Sequence, residues 1–397
     1  MTGLNKALTK KPLPDQAPRL IDDAPYPVNY AENKTSTLKP YIFIAFATTI
    51  FFFCFVAPAY FPSIFKQIGF GSYEKHAANE NERYDTAFFE FMKEFDRHYK
   101  NRAEFNYRHR IFMQNMKEWE AEEAEDLKNG GNLDLDINQF ADYTKEEMAK
   151  MLMSGDFGPP VVEGAAPIEM GRYLSKDYQR PASKDWVQEG KVTAVKNQGQ
   201  CGSCWSFATV ATVESAVAIK RNNLDTLSEQ ELVDCEHDQG GCNGGYRPYA
   251  YRWIKENGLV QESGYPYVAQ VSGQCRLDRF DVKTRVYIDD YQMLSKDEGL
   301  VADWVAANGP VSFGMKVTKD LFHYKSGVFR PNPDACAHES QGSHALTIVG
   351  YGSENGQDYW LVKNSWGNWG LGGYFKLARG INACGMAETI VAPVVRQ

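Results

Sequence analysis

Three side chains able to do chemistry together stand far apart in this 397-residue chain: Cys204, His344 140 residues later, and Asn364 20 residues after that. The stretch around the first, Asn197 to Phe207, reads N-Q-G-Q-C-G-S-C-W-S-F. Cys204 opens a pattern with helical spacing that runs to about Lys220. A thiol in the first turn of a helix feels the positive end of its dipole, which favours the nucleophilic thiolate. Gln198 offers a side-chain amide donor, and Gly199 and Gly202 let the backbone bend tightly enough to bring that donor close. A thiol, an imidazole and a carboxamide suit acyl transfer through a covalent thioester. The C-x-x-C of Cys201 and Cys204 has two other readings. A redox pair wants a βαβ unit around it and a zinc site wants a second pair; neither is found in the sequence.

With 43% hydrophobic and 24% charged residues, the chain has a globular make-up and enough length for one large domain or two medium ones. A net charge of −8 leaves no basic footprint for nucleic acid. The acidic surplus is net −8 within residues 62–179, against +2 before and −2 after. Of the eight cysteines, Cys54 lies in an apolar run and Cys204 is the candidate nucleophile. Cys201, Cys235, Cys242, Cys275, Cys336 and Cys384 remain, an even number and all beyond residue 200. That distribution fits a disulfide framework formed in an oxidising compartment, with every pairing open.

Residues 1–40 are Pro-rich, polar and aperiodic, a flexible tail expected to lie in the cytosol. Tyr41 to Ala57 carry no charge, and 41–61 makes 21 residues, enough to span a bilayer. With forty residues ahead of it, this stretch reads as an uncleaved signal-anchor. Lumenal disulfides then imply type II topology, with the sequon Asn33-Lys34-Thr35 cytosolic and silent. Residues 82–127 carry two apolar stripes, Phe88, Phe91, Met92, Phe95 and then Phe105, Ile111, Phe112, Met116, Trp119, the pattern of an amphipathic helical hairpin. Residues 154–179 are Gly/Pro-rich and read as a linker. Ser228 with Glu231 three residues on predicts a capping box. Gly241 to Gly245 form a glycine-rich turn whose backbone edge could pair with an extended peptide. From about Val282 onward, short β-type runs predict an antiparallel sheet.

The C-G-S-C-W of Cys201–Trp205, with His344 and Asn364 at these distances, resembles the papain family of cysteine proteases over roughly residues 83–397. Glu104, Arg108, Ile111, Phe112 and Asn115 match the first part of the helical motif of cathepsin L-like propeptides; Trp119 and Glu123 depart from its second part. Asp136–Asp142, D-I-N-Q-F-A-D, is similar to that family's G-x-N-x-F-x-D motif with Asp136 in place of Gly. Arg180–Trp186 resembles the start of the mature enzymes. The resemblance implies an α+β, papain-like two-domain fold, a helical half and an antiparallel β half with the cleft between them. Residues 62–179 would be an α-rich inhibitory prodomain and linker, and 180–397 the peptidase domain. The strand-like stretch after Thr144 would run backwards through the cleft.

The resemblance also implies disulfides 201–242, 235–275 and 336–384. It assigns catalysis to Cys204, His344 and Asn364, the oxyanion hole to Gln198, and shielding of the His–Asn bond to Trp366. Gly244 and Gly245 would form the S3 side of the cleft. Tyr246, Arg247, Gly314, Gly342, Ala345 and Thr389 would line S2, the pocket for the second residue before the scissile bond (P2). Gly314 and Gly342 are expected to leave room for a bulky apolar P2 residue. Arg247 replaces a usually apolar residue and would either admit an acidic P2 or point to solvent; Ser343 also departs from the usual Asp or Asn. No His-bearing insertion like an occluding loop is found, so endopeptidase action is expected. The overall layout is similar to the membrane-anchored falcipain-like and cryptopain-like enzymes of apicomplexan parasites. The expected partners are peptide substrates, the chain's own prodomain and, through 41–61, a membrane. The prodomain carboxylates are expected to form an acid-sensitive latch. The mature enzyme is expected to be a monomer, lysosomal, vacuolar or secreted, without metal or cofactor. A reading from another class is a catalytically silent relative acting as a binding protein. Such relatives lose the nucleophile or the His, and this chain keeps both.

Overall fold

A computed structural model describes residues 80–128, 134–153, 177–279 and 284–397; the apolar stretch 41–61 and most of the linker lie outside them. Among the described residues, no helix is long and apolar enough to cross a membrane. The chain divides into two compact units, one ending at Tyr107 and the other starting at Arg108.

In the first unit, helix α1 (Glu80–Glu94) and the start of α2 (Arg102–Lys128) carry an aromatic cluster. The Phe88 ring lies 6.0 Å from Tyr99, stacked, and 5.4 Å from Phe105, edge-on, geometries that aromatic quadrupoles prefer. Phe88 and Phe91 are buried, whereas Met92 and Phe95 remain half-buried at the edge of the stripe.

The second unit holds the rest of α2 and everything after it. Two motif residues fasten α2 to the segment that follows β1 (Asp134–Leu135). Arg108 makes a two-pronged contact to Glu147, at 2.6 and 2.7 Å, and donates to the Asp142 carbonyl. Asn115 donates to the carbonyls of Ala141 and Tyr143. After Thr144 the structure departs from the expected strand and forms a short helix, α3 (Lys145–Ala149). The cause is local: Thr144 and Glu147 satisfy each other's backbone N–H groups in a reciprocal capping box. Extended pairing returns only at Met153, in one antiparallel bridge to Ser343.

Helix α4 (Cys204–Arg221) is buried along most of its length; Lys220 and Arg221 complement its C-terminal dipole, and Asn222 closes it in the left-handed conformation. Beside it lie α5 (Glu229–Cys235) and α6 (Arg247–Asn257). Ser228 caps α5 through the Glu231 N–H, but the predicted reciprocal half is absent. The Glu231 carboxylate instead pairs with Arg285 and accepts from the Val260 N–H, because a carboxylate buried there needs a cation more than the cap needs a second acceptor.

The strands are β2 (Lys184–Asp185), β3 (Asp290–Met293), β4 (Val311–Val317), β5 (Tyr324–Ser326), β6 (Val328–Phe329), β7 (Gly342–Glu354), β8 (Gln357–Lys363), β9 (Tyr374–Ala378) and β10 (Ile390–Val394). Eight of them form one sheet, in the order β3-β10-β4-β7-β8-β9-β6 with β2 against β7; β5 pairs with β1 of the prosegment. Two expectations need correction. The β6–β9 pair is parallel, unlike the rest of the sheet. Over its described residues the run 282–288 forms no strand: Val286 makes one bridge to Leu259, while Arg285 is held by Glu231 and the Gly258 carbonyl. Helix α4 lies against β7, so the helical part and the sheet meet where Cys204 and His344 stand. Disulfides join Cys201 to Cys242, Cys235 to Cys275 and Cys336 to Cys384.

Candidate active site

The start of α4 and strand β7 bring the distant residues together. Cys204 is fully buried, and its Sγ accepts from the Ala345 N–H at 3.3 Å. Ala345 follows His344 on β7, and their partners on β4 are Gly314 and Met315. The His344 Nε2 lies 2.8 Å from Asn364 Oδ1, which also accepts from the Ser365 N–H. A carboxamide oxygen can only accept, so Nε2 carries the proton and Nδ1 keeps a free lone pair. That Nδ1 has no hydrogen-bond partner. Trp366 stacks on the His344 ring at 4.8 Å, with Phe322 stacked on Trp366 and Trp369 edge-on to it, so the His–Asn bond sits behind aromatic rings.

Gln198 is also fully buried. Ser365 Oγ donates to its Oε1 at 2.5 Å, which orients the amide so that Nε2 points as a donor. In this precursor Nε2 is occupied: it donates to the carbonyls of Met151, at 2.7 Å, and Cys201, at 2.8 Å. A prosegment carbonyl therefore rests on the donor expected to meet an oxyanion. The close approach depends on Gly202, where a Cβ would stand 2.5 Å from the Cys242 carbonyl and 2.7 Å from the Leu152 carbonyl.

Burial dominates the electrostatics and reverses the helix-dipole expectation for this state. It pushes the Cys204 thiol up to about 11, against smaller lowering from the Ala345 N–H and Arg247. It also pulls His344 down to about 4, although the Asn364 bond opposes the shift. The precursor thus holds a neutral thiol beside a neutral imidazole. A thiol near 11 has roughly 10²-fold less thiolate at neutral pH than an ordinary cysteine. Iodoacetamide at pH 7 is expected to label Cys204 about 10² times faster after prosegment removal than before. Peptide mass mapping over time checks this, and equal rates would contradict the burial argument.

On the substrate side, Gly245 packs where a Cβ would strike the Trp205 ring at 2.6 Å. The Gly244 carbonyl accepts from the Gly240 N–H, so this edge is partly used within the turn. Tyr246 caps α6 with its ring tilted against Tyr249. The space expected beside Gly314 is not empty. A Cβ there would lie 2.8 Å from Arg247 Nη1, and Arg247 is 6% exposed, so its side chain turns inward and not to solvent. Thr389 contributes its carbonyl, which accepts from Arg247 Nη2 at 2.7 Å. Gly342 faces prosegment Leu152. Sequence reading missed Ser365, Tyr267 and His323. Ser365 directly follows the candidate Asn364 in the stretch Lys363–Gly367, K-N-S-W-G. Tyr267, whose hydroxyl donates to the Gln198 carbonyl and bonds Ser203, has no local signal.

Comparison with known proteins places this geometry. Residues 180–394 match the papain family cysteine protease model, and 88–148 match the cathepsin propeptide inhibitor domain. The chain is 36% identical to bovine (Bos taurus) pro-cathepsin H, covering 80% of this chain and 92% of that protein. It is 34% identical to Drosophila melanogaster cathepsin F but spans only 52% of that longer protein. Among solved structures, procathepsin L2 from Tenebrio molitor larval midgut superposes with a TM-score of 0.70 at 36% identity, covering 79% of this chain and all of that one. The recombinant stem bromelain precursor gives 0.67 at 33% identity, over 79% of this chain and 99% of that one. The chain belongs to the papain family of cysteine proteases and carries a cathepsin-type inhibitory propeptide ahead of its peptidase domain.

Proposed function

We propose that this chain is a thiol-dependent endopeptidase, made as a zymogen and working through Cys204, His344 and Asn364. The observation that carries the reading is the His344 ring: its Nε2–H is held by Asn364, and its Nδ1 is unpartnered on the strand whose next residue, Ala345, meets the Cys204 sulfur. Once the prosegment leaves, Nδ1 takes the thiol proton and the Cys204 sulfur attacks the peptide carbonyl carbon. The resulting oxyanion is met by the Gln198 amide, vacated by Met151, and by the Cys204 N–H. Collapse expels the amine, which takes its proton from His344. The imidazole then deprotonates water, and hydroxide cleaves the thioester. Trp366 keeps bulk water off the orienting His–Asn bond. The uncharged stretch 41–57 supports tethering of the precursor through 41–61, with the peptidase on the lumenal side and release into an acidic compartment.

Acidifying the purified zymogen with a thiol reductant is expected to remove a fragment ending near Arg180 and to release peptide hydrolysis. The Cys204→Ala protein should keep its full mass and show no turnover. Wild-type protein that loses the fragment yet hydrolyses no peptide would sink the peptidase reading in favour of a binding protein.

A further inference from the structure

Arg247 opens α6 beside the candidate nucleophile, and its burial lacks the compensation that a buried guanidinium normally has. Only 6% of it is exposed. Of the five N–H donors on a guanidinium, one is used, from Nη2 to the Thr389 carbonyl at 2.7 Å. Nε has no partner. No carboxylate among the described residues pairs with it; its electrostatic neighbours are Tyr251, Cys204 and Tyr246. Gly314 is shaped to it, since a Cβ there would stand 2.8 Å from Nη1 and 3.4 Å from Nη2. Across the ladder from Gly314 stands Ala345, whose N–H touches the Cys204 sulfur. Taking a lone cation out of water is costly unless a partner and hydrogen bonds compensate. The missing partner is an anion, and the cleft is where one can enter.

We propose that Arg247 makes the subsite beside Gly314, Ala345 and Thr389 select an acidic residue, Glu or Asp, at P2 of the substrate. A carboxylate there meets a preset planar fork, forming the short charge-assisted bonds that guanidinium and carboxylate make best. The assignment rests on the peptidase reading above and names its substrate class.

The test uses acid-processed protein, with active sites counted by an irreversible thiol reagent, and matched peptides carrying Glu, Gln or Leu at P2. Hydrogen bonds to a charged group contribute on the order of 10- to 10²-fold. At pH 6 the wild type is expected to favour Glu over isosteric Gln by at least about tenfold. That ratio should fall as pH drops through the ordinary Glu pKa of about 4.3. Arg247→Met should bring Glu and Gln within about threefold while retaining or improving the Leu peptide. Gly314→Ala, which crowds the guanidinium, should move the ratio the same way. Leu preferred over Glu by the wild type, with the ratio unchanged in Arg247→Met, overturns the proposal. An equal loss for all three peptides in Arg247→Met also overturns it, because it would mark support of the thiolate. If Cys204 is alkylated but no peptide is cut, protection replaces turnover as the readout. Slower alkylation with the Glu peptide, in wild type but not in Arg247→Met, would uphold the subsite while the peptidase reading fails. No protection in either protein would overturn the subsite as well.

Discussion

His344→Ala is expected to lower kcat/KM of the processed protein on the order of 10⁶-fold, the scale seen when the base of a nucleophile–base pair is removed. The expected loss is that large because in the proposed mechanism this one ring serves twice, as the acceptor that generates the thiolate and as the acid that protonates the leaving amine. Its Nδ1 has no other partner, and among the described residues no second base is held against Cys204, whose sulfur accepts from the Ala345 N–H. Asn364→Ala should cost far less, since it removes the clamp on Nε2 and leaves the ring under Trp366. Its signature should be a changed pH profile together with a lower kcat. Active-site-titrated initial rates measure both variants. His344→Ala retaining more than about a hundredth of wild-type turnover would move the general base elsewhere.

Much of this site was legible because its signals are local or separated by fixed spacing. Cys204 declares itself by the helix it opens and the glycines ahead of it, and His344 and Asn364 by their distance from it. What was not legible depends on where long side chains end. Arg247 in the sequence permits either a solvent-facing or an inward guanidinium. Only its fit against Gly314 and the Thr389 carbonyl decides, and those lie far along the chain. The same holds for Glu231, which reads as a cap partner until Arg285, 54 residues on, claims its carboxylate. The helix after Thr144 differs for the opposite reason: its capping box is a local signal that outweighs the extended prosegment implied by the family resemblance. The departures in the propeptide motif also gain meaning from contacts with the peptidase domain. Asp136, where Gly is usual, pairs with Lys325 at 2.6 Å, and Trp119, where Ile is usual, covers His323.

That last contact carries the second large effect, because it buries a titratable ring between the prosegment and the peptidase domain. His323 is 2% exposed, stacked on Trp119 with ring centroids 3.4 Å apart, and its Nδ1 is unpartnered. Burial, helped by Lys319, holds it well below its ordinary 6.5. Around it lie Glu118, Glu122 and Lys145 of the prosegment and Lys319 and Asp320 of its own turn, with Lys325 paired to Asp136 nearby. The signs differ. A histidine whose docked pKa is depressed takes up its proton on release, so docking weakens as pH falls below about 6.5, by about tenfold per unit. Burial raises the prosegment's Glu122 to about 7 despite Lys319, so its protonation strengthens docking on acidification, whereas Asp320 is raised by burial within its own turn. Glu147, lowered by Arg108, and Glu118, lowered by Gln114, Lys145 and Lys319 against its burial, lose their contribution only as pH falls through their depressed values. Between pH 6.5 and 4.5 the imidazole is therefore expected to weaken docking on acidification while Glu122 strengthens it, so a histidine joins the carboxylates in setting the response to acid. His323→Phe, which keeps the stack and removes the proton site, is expected to slow processing at pH 5 by about 10- to 30-fold while leaving the rate at pH 7 within about twofold. Glu122→Gln should do the reverse and steepen the response to acid. Time courses of precursor mass at both pH values read the two variants. Processing of His323→Phe at the wild-type rate at pH 5 would show that another group opens the cleft.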